Sequence, residues 1–169
     1  MRKRVRAALA LAIIAALLMV PLQAFAAKGK GLAAEAATLT PQTATGQLLA
    51  FQVGFHNSGK STISHFRFDG TVSGGATFHP ASSSPCAAAS GGVSCDLGNL
   101  PSGAAVQLVL VFNAPASPGS VTLSGGFNGD ADNGTPGAKD DQWAIPNQTV
   151  SVLQSSSEFF GTYELTTAP

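Results

Sequence analysis

The stretch "QLLAFQVGFH", residues 47–56, puts Leu49, Phe51, Val53 and Phe55 at every second position, with Ala50, Gln52, Gly54 and His56 between them. Successive side chains of an extended chain point to opposite faces, so this period buries one face and leaves the other to solvent. "NSGKS" (57–61) turns the chain, and "HFRFDGTV" (65–72) resumes the alternation with Phe66 and Phe68 inward and His65, Arg67 and Asp69 outward. In "AVQLVLVFNAP" (105–115), Val106, Leu108, Leu110 and Phe112 make one face while Val109 and Val111 cover part of the other. A helix competes for this stretch, but β-branched residues dominate it and Pro115 follows closely, which favours a strand.

Two more stretches obey the same rule. "GSVTLSGGFNG" (119–129) carries Val121, Leu123 and Phe127 on one face, and "QTVSVLQ" (148–154) turns Val150 and Val152 inward. "TLTPQT" (38–43) and short pieces near Ala76–His79 and Val93–Asp96 bring the count to seven or eight strands, all separated by turn residues. Lys and Glu, which favour exposed helix faces, are scarce, while Gly, Ser, Thr, Phe and Val abound. The fold expected over residues 38–155 is an all-β, immunoglobulin-like sandwich of seven to eight antiparallel strands; a jelly roll or small barrel reads similarly. Residues 27–37, "AKGKGLAAEAA", read as a flexible leader. The tail, residues 156–169, alternates aromatic and polar residues and reads as a loose end or an extra edge strand.

The first 26 residues set the compartment. "MRKRVR" places four positive charges ahead of the apolar run Ala7–Val20, Pro21 breaks the run, and "AFA" at 24–26 supplies the small residues of a cleavage site. That is the layout of a secretory signal peptide, and the run is shorter than the ~18–20 residues that span a bilayer. The expectation is export to the cell envelope or medium, with no membrane span after cleavage. The remaining 143 of 169 residues suit one domain. They keep five basic residues (Lys28, Lys30, Lys60, Arg67 and Lys139) against nine acidic ones, so nucleic acid and anionic lipid are poor partners.

Several stretches resemble a known family. "FQVGFHNSG" looks like the strand ending in Asn-x-Gly of a bacterial surface-repeat immunoglobulin-like family, domain of unknown function number eleven. "VSCDLGNLPSGAAVQLVLVF" resembles that family's Cys-x-Leu-Gly-x-Leu-x-x-Gly segment and the strand after it. "GDADNGTPGAKDD" with "QTVSV" is similar to its acidic loop and terminal strand, so the resemblance covers residues 38–155. It implies an exported sandwich, often repeated in tandem on surface proteins, with no established catalytic residues to carry over. Unlike the common arrangement, a single copy is present here, without an LPxTG-type motif.

Cys86 and Cys95 are the only cysteines, separated by "AAASGGVS". A redox pair would want C-x-x-C at a helix start, and a zinc site would want four ligands, whereas His56, His65 and His79 stand at no usual short spacing. In an exported chain, two cysteines bracketing a Ser-Gly-Gly turn oxidise with each other. Closing so short a loop stabilises by roughly 2–3 kcal/mol in the chain-entropy model. Leu97 and Leu100 then plug the sandwich end ahead of the strand at 105.

"GDADNGTPGAKDD" (129–141) is the main candidate for a site. Asp130, Asp132, Asn133, Asp140 and Asp141 offer oxygens of the kind Ca²⁺ prefers. The spacing departs from the EF-hand loop at Gly134, and a solvated turn-rich loop has the same composition. Trp143 comes just after this loop: it either covers one end of the core or, if exposed, serves as a carbohydrate-binding ring. "NGT" at 133–135 and "NQT" at 147–149 fit the N-glycosylation pattern. Neither G-x-S-x-G nor H-E-x-x-H occurs, so no catalytic set is read. Two functions stay open: a non-catalytic structural or adhesive module with a protein partner, and a sugar-binding module, calcium-assisted or not, built on residues 129–143.

Overall fold

The computed structural model describes residues 32–131 and 141–155. Eleven strands and no helix occur among them: β1 (Ala33–Thr38), β2 (Gln42–Ala44), β3 (Leu48–His56), β4 (Ile63–Val72), β5 (Thr77–Phe78), β6 (Cys86–Ala89), β7 (Gly92–Leu100), β8 (Ala105–Asn113), β9 (Gly119–Asp130), β10 (Asp141–Ala144) and β11 (Gln148–Leu153). They form a four-stranded sheet in the order β1-β3-β8-β5 and a larger one in the order β2-β11-β9-β4-β7-β6, with β10 also on β9. The smaller sheet has the A-B-E-D order of an immunoglobulin sandwich, and β11-β9-β4 has the order G-F-C. The β6–β7 hairpin extends the larger sheet beyond that frame.

Alternation accounts for the core. Leu49, Phe51, Val53, Leu108, Leu110 and Phe112 of the smaller sheet face Phe66, Phe68, Val121, Leu123, Phe127, Val150 and Val152 of the larger, all of them buried. The rings of Phe66 and Phe127 stack at 5.3 Å with planes 4° apart, and Phe68 lies 5.0 Å from Phe127. Burying each such side chain is worth up to ~3 kcal/mol against leaving it exposed.

The expected two-layer, all-β architecture therefore holds, with added detail. Residues 33–37, read from the sequence as the end of a leader, form most of β1 and pair with β3 from Ala33↔His56 to Thr38↔Phe51. Backbone pairing carries this strand, since its alanines offer little apolar surface for a pattern to reveal. The strand count exceeds seven or eight because β1 and the four-residue β6 and β10 carry too little apolar alternation to be read, whereas β5 falls on the short piece expected near Ala76–His79. One pair is parallel: β2 runs with β11 through Ser151↔Gln42 to Leu153↔Ala44. The cause is that the chain changes sheet between β1 and β2. β10 and β11 lie in succession along the same side of β9, at Gly126–Gly129 and at Gly119–Leu123. Pro146, which has no N–H to donate to the ladder, stands in the gap between them.

The outer edge of β8 is closed by a serine loop. Ser82 Oγ accepts from Val111 N and Ser83 Oγ from Val109 N, both at 2.9 Å, so hydroxyls satisfy amides that a neighbouring strand would otherwise take.

Candidate functional site

Cys86 and Cys95 stand directly opposite each other in the β6–β7 hairpin and are bonded. Val93 and Cys95 point into the core, fully buried, so the bridge ties the edge strand β6 to the interior. Leu100 is buried and Leu97 packs against the core beside it, the role expected for both.

The acidic loop leaves β9 at Asp130 and returns at Asp141, the two ends of the β9–β10 connection. Asp141 Oδ2 accepts from Ala131 N at 3.3 Å, which closes the base of the connection. Asp130 is buried and Asp141 exposed. Asp132, Asn133 and Asp140 lie outside the described residues, as does the 133–135 glycosylation pattern. Among the described residues, no three His, Cys, Asp or Glu side chains come together as a metal would need. Asn147, of the second glycosylation pattern, is exposed between β10 and β11.

Trp143 sits on β10 opposite Phe127 and is half-buried. Its ring lies 4.9 Å from that of Phe55 and 6.4 Å from that of Phe66, so one side of the indole packs on the core end. Every aromatic ring among the described residues shares this fate: Phe51, Phe55, Phe66, Phe68, Phe112 and Phe127 are core, and Phe78 and Trp143 pack against it.

Beside this end, β4 is bulged at Ser64–His65. His65 has φ of 49°, the one non-glycine residue in the left-handed region among those described. Register shifts there align Ser64 with Asp130 and Arg67 with Asn128. A bulge in a central strand re-aims side chains locally. The outer face beyond it carries a polar cluster that pattern reading marks only as outward: Asp69 Oδ2 meets Arg67 Nε at 2.8 Å and accepts from Asn128 Nδ2 at 3.1 Å. Asp69 Oδ1 accepts from Ser94 Oγ at 2.7 Å. The cluster joins β4, β7 and β9 across the sheet face, but an exposed ion pair of this kind contributes little to stability.

The second residue missed by pattern reading is Asn57. It is buried, and its side chain donates to the carbonyl oxygens of Ser61 and Leu100, each at 2.9 Å, while accepting from Gly59 N at 3.1 Å. The "NSG" turn signal marks the place but not the long-range partner.

The sequence matches no protein-family model and no curated protein. Among solved structures, the chain is similar to a CARDB domain from Pyrococcus furiosus solved in complex with di-metal ions: 13% identity, TM-score 0.46, covering 73% of this chain and 88% of that one. It is also similar to the sixth cohesin of scaffoldin B from Acetivibrio cellulolyticus, solved in complex with a Cel5 dockerin mutant, at 16% identity and TM-score 0.44 over 68% of this chain and 97% of that one. A third is red sea bream transglutaminase, at 16% identity and TM-score 0.47, over 72% of this chain and 15% of the enzyme. Among the described residues no helix is long and apolar enough to cross a membrane.

Proposed function

We propose that this chain is an exported, non-catalytic immunoglobulin-like module of the bacterial cell envelope or medium, of the surface-repeat kind its Cys-x-Leu-Gly-x-Leu-x-x-Gly segment resembles. It acts as a rigid spacer or adhesive unit through contacts with protein. One observation carries the preference for protein over sugar. All eight described aromatic rings lie in the core or against it, so among the described residues neither sheet face offers an exposed ring platform of the kind on which a sugar stacks. The staple at Cys86–Cys95 and the serine-closed β8 edge suit a unit that holds its shape in an oxidising compartment.

The test is a glycan array with the mature protein, in millimolar calcium and in chelator. No binding in either condition is expected. A glycan bound by the wild type and lost in Trp143→Ala would establish the sugar-binding reading instead, and calcium dependence would locate it at the 129–141 loop. Export is tested separately: expression with the native leader in a bacterial host should yield a secreted product beginning at Ala27. A product retained in the cytoplasm with its leader intact refutes that part.

A further inference from the structure

The larger sheet ends at β6, and among the described residues no strand pairs with its outer edge. The phase of the ladder determines which backbone groups that edge presents. The Cα atoms of Cys86 and Cys95 are 4.0 Å apart, nearer the ~4.5 Å of an opposed pair that exchanges no hydrogen bonds than the ~5.5 Å of one that does. Cys86 N–H agrees: it donates away from β7, to Ser83 O at 2.9 Å. Bonded pairs alternate along an antiparallel ladder, so Ala87↔Ser94 and Ala89↔Gly92 exchange bonds while Ala88 turns its N–H and its carbonyl outward. The carbonyl of Cys86 points the same way.

Ala87, Ala88 and Ala89 are exposed, and β6 contains neither a charge nor a proline, two devices that keep an edge from pairing. The other edges are better guarded. Ser82 and Ser83 close β8, Glu35 lies within β1, Asp141 opens β10, and β2 is three residues long and follows Pro41. The bridge to Cys95, which is buried in the core, holds the open edge in place. We infer that β6 pairs antiparallel with β6 of a second copy across a two-fold axis, joining two larger sheets into one. In the register centred on Ala88, each Ala88 N–H donates to the Ala88 carbonyl of the other copy, and Cys86 O meets Ser90 N–H. Ala87 stands opposite Ala89, so neither bulk nor like charge opposes the approach. The ends fit as well: Ser83 fills the edge beyond Cys86, and there the other strand, past Ser90, turns back into its own β7. A second copy is the favoured occupant because this short set of donors and acceptors satisfies itself across a two-fold axis. The contact is small and belongs to the weak class of interfaces. It goes beyond the module reading above and does not rest on it.

The experiment follows the mature protein from about 20 µM to about 1 mM by sedimentation velocity and by amide exchange, a range suited to weak pairing. A reversible dimer should form, and exchange at the Ala88 amide should slow as it does. Ala88→Pro removes an N–H that faces outward, where an edge strand tolerates proline, and should weaken association at least ~10-fold with a melting temperature near wild type. Ala87→Lys/Ala89→Lys and Ala87→Asp/Ala89→Asp each set like charges opposite one another and should abolish self-association. An equimolar mixture of these two variants should associate again, a result that misfolding cannot produce. A wild type that stays monomeric over the whole range overturns the inference. So does undiminished dimer in Ala88→Pro or in either charged variant, and so does a mixture that stays monomeric.

Discussion

The side-chain amide of Asn57 donates to the carbonyl oxygen of Leu100 at 2.9 Å, joining residues 43 apart. Asn57 comes directly after β3 and Leu100 ends β7, so the bond links the two connections that cross between the sheets at this end. The backbone of Asn57 is tied in as well: its N–H donates to Ala104 O at 2.9 Å, and its carbonyl accepts from Gly103 N at 2.7 Å. Replacing Asn57 by Ala takes the donor from the buried Leu100 carbonyl and from the part-buried Ser61 carbonyl and should cost ~1–3 kcal/mol. Asn57→Asp keeps the acceptor for Gly59 N but turns a second oxygen toward the Ser61 and Leu100 carbonyls. It should cost more than Ala. Urea unfolding followed by Trp143 fluorescence measures both, and an Asp variant at least as stable as the Ala variant would refute the role given to Nδ2.

How much of this fold is legible in the sequence depends on the range of the forces involved. Alternation assigns Phe66, Phe68, Val121, Leu123, Phe127, Val150 and Val152 inward, and all are buried, because the two-residue period is a local property of extended chain. The Cys86–Cys95 pairing is legible for a similar reason, since a short loop leaves few partners. β1 is hidden because Ala34 and Ala36, opposite Phe55 and Val53, contribute pairing rather than apolar bulk. The buried role of Asn57 and the Asp69 cluster depend on partners tens of residues away, which no window of sequence contains. At the candidate loop, Asp130 and Asp141 share one connection in sequence and in structure, but their surroundings differ, one buried and one exposed.

Gly125 is required by its backbone. Its φ is +141°, and a Cβ there would meet the carbonyl oxygen of Asp69 on the adjacent strand. Gly46 also has a positive φ, +70°, but a Cβ there meets nothing within 4 Å. Gly46→Ala should therefore cost only the backbone term of ~1 kcal/mol, and Gly125→Ala ~3 kcal/mol or more as β4 and β9 are pushed apart. Paired thermal melts check the difference. Equal losses at the two sites would mean that strand separation contributes nothing.

The disulfide closes a loop with a sequence separation of 9. Replacing both cysteines by Ala should lower stability by about 2–3 kcal/mol, the loop-closure entropy restored to the unfolded chain. Alanine avoids burying a hydroxyl at position 95, which is fully inside. In reductant, wild type should fall to within ~1 kcal/mol of the variant, whereas without reductant the gap should open fully. A variant as stable as oxidised wild type would show that β6 is held by its neighbours and not by the bridge.

Trp143 offers the sharpest separation between a structural and a binding role. A ring kept for a ligand faces solvent, and removing it leaves stability nearly unchanged. The indole of Trp143 instead lies 4.9 Å from Phe55, over the end of the core and opposite Phe127. Truncation to Ala should then cost about 2 kcal/mol, less than the ~3–5 kcal/mol expected for fully buried Phe127→Ala, because Trp143 is only partly buried. Trp143→Phe keeps a ring on Phe55 and should recover most of the loss. Far-ultraviolet circular dichroism melts are the measurement, since the only tryptophan is the residue removed. If Trp143→Ala melts with wild type, the ring does not serve the core. The loop from Asp130 to Asp141 together with this residue would then stand as a binding surface, and the glycan array with calcium becomes the deciding experiment.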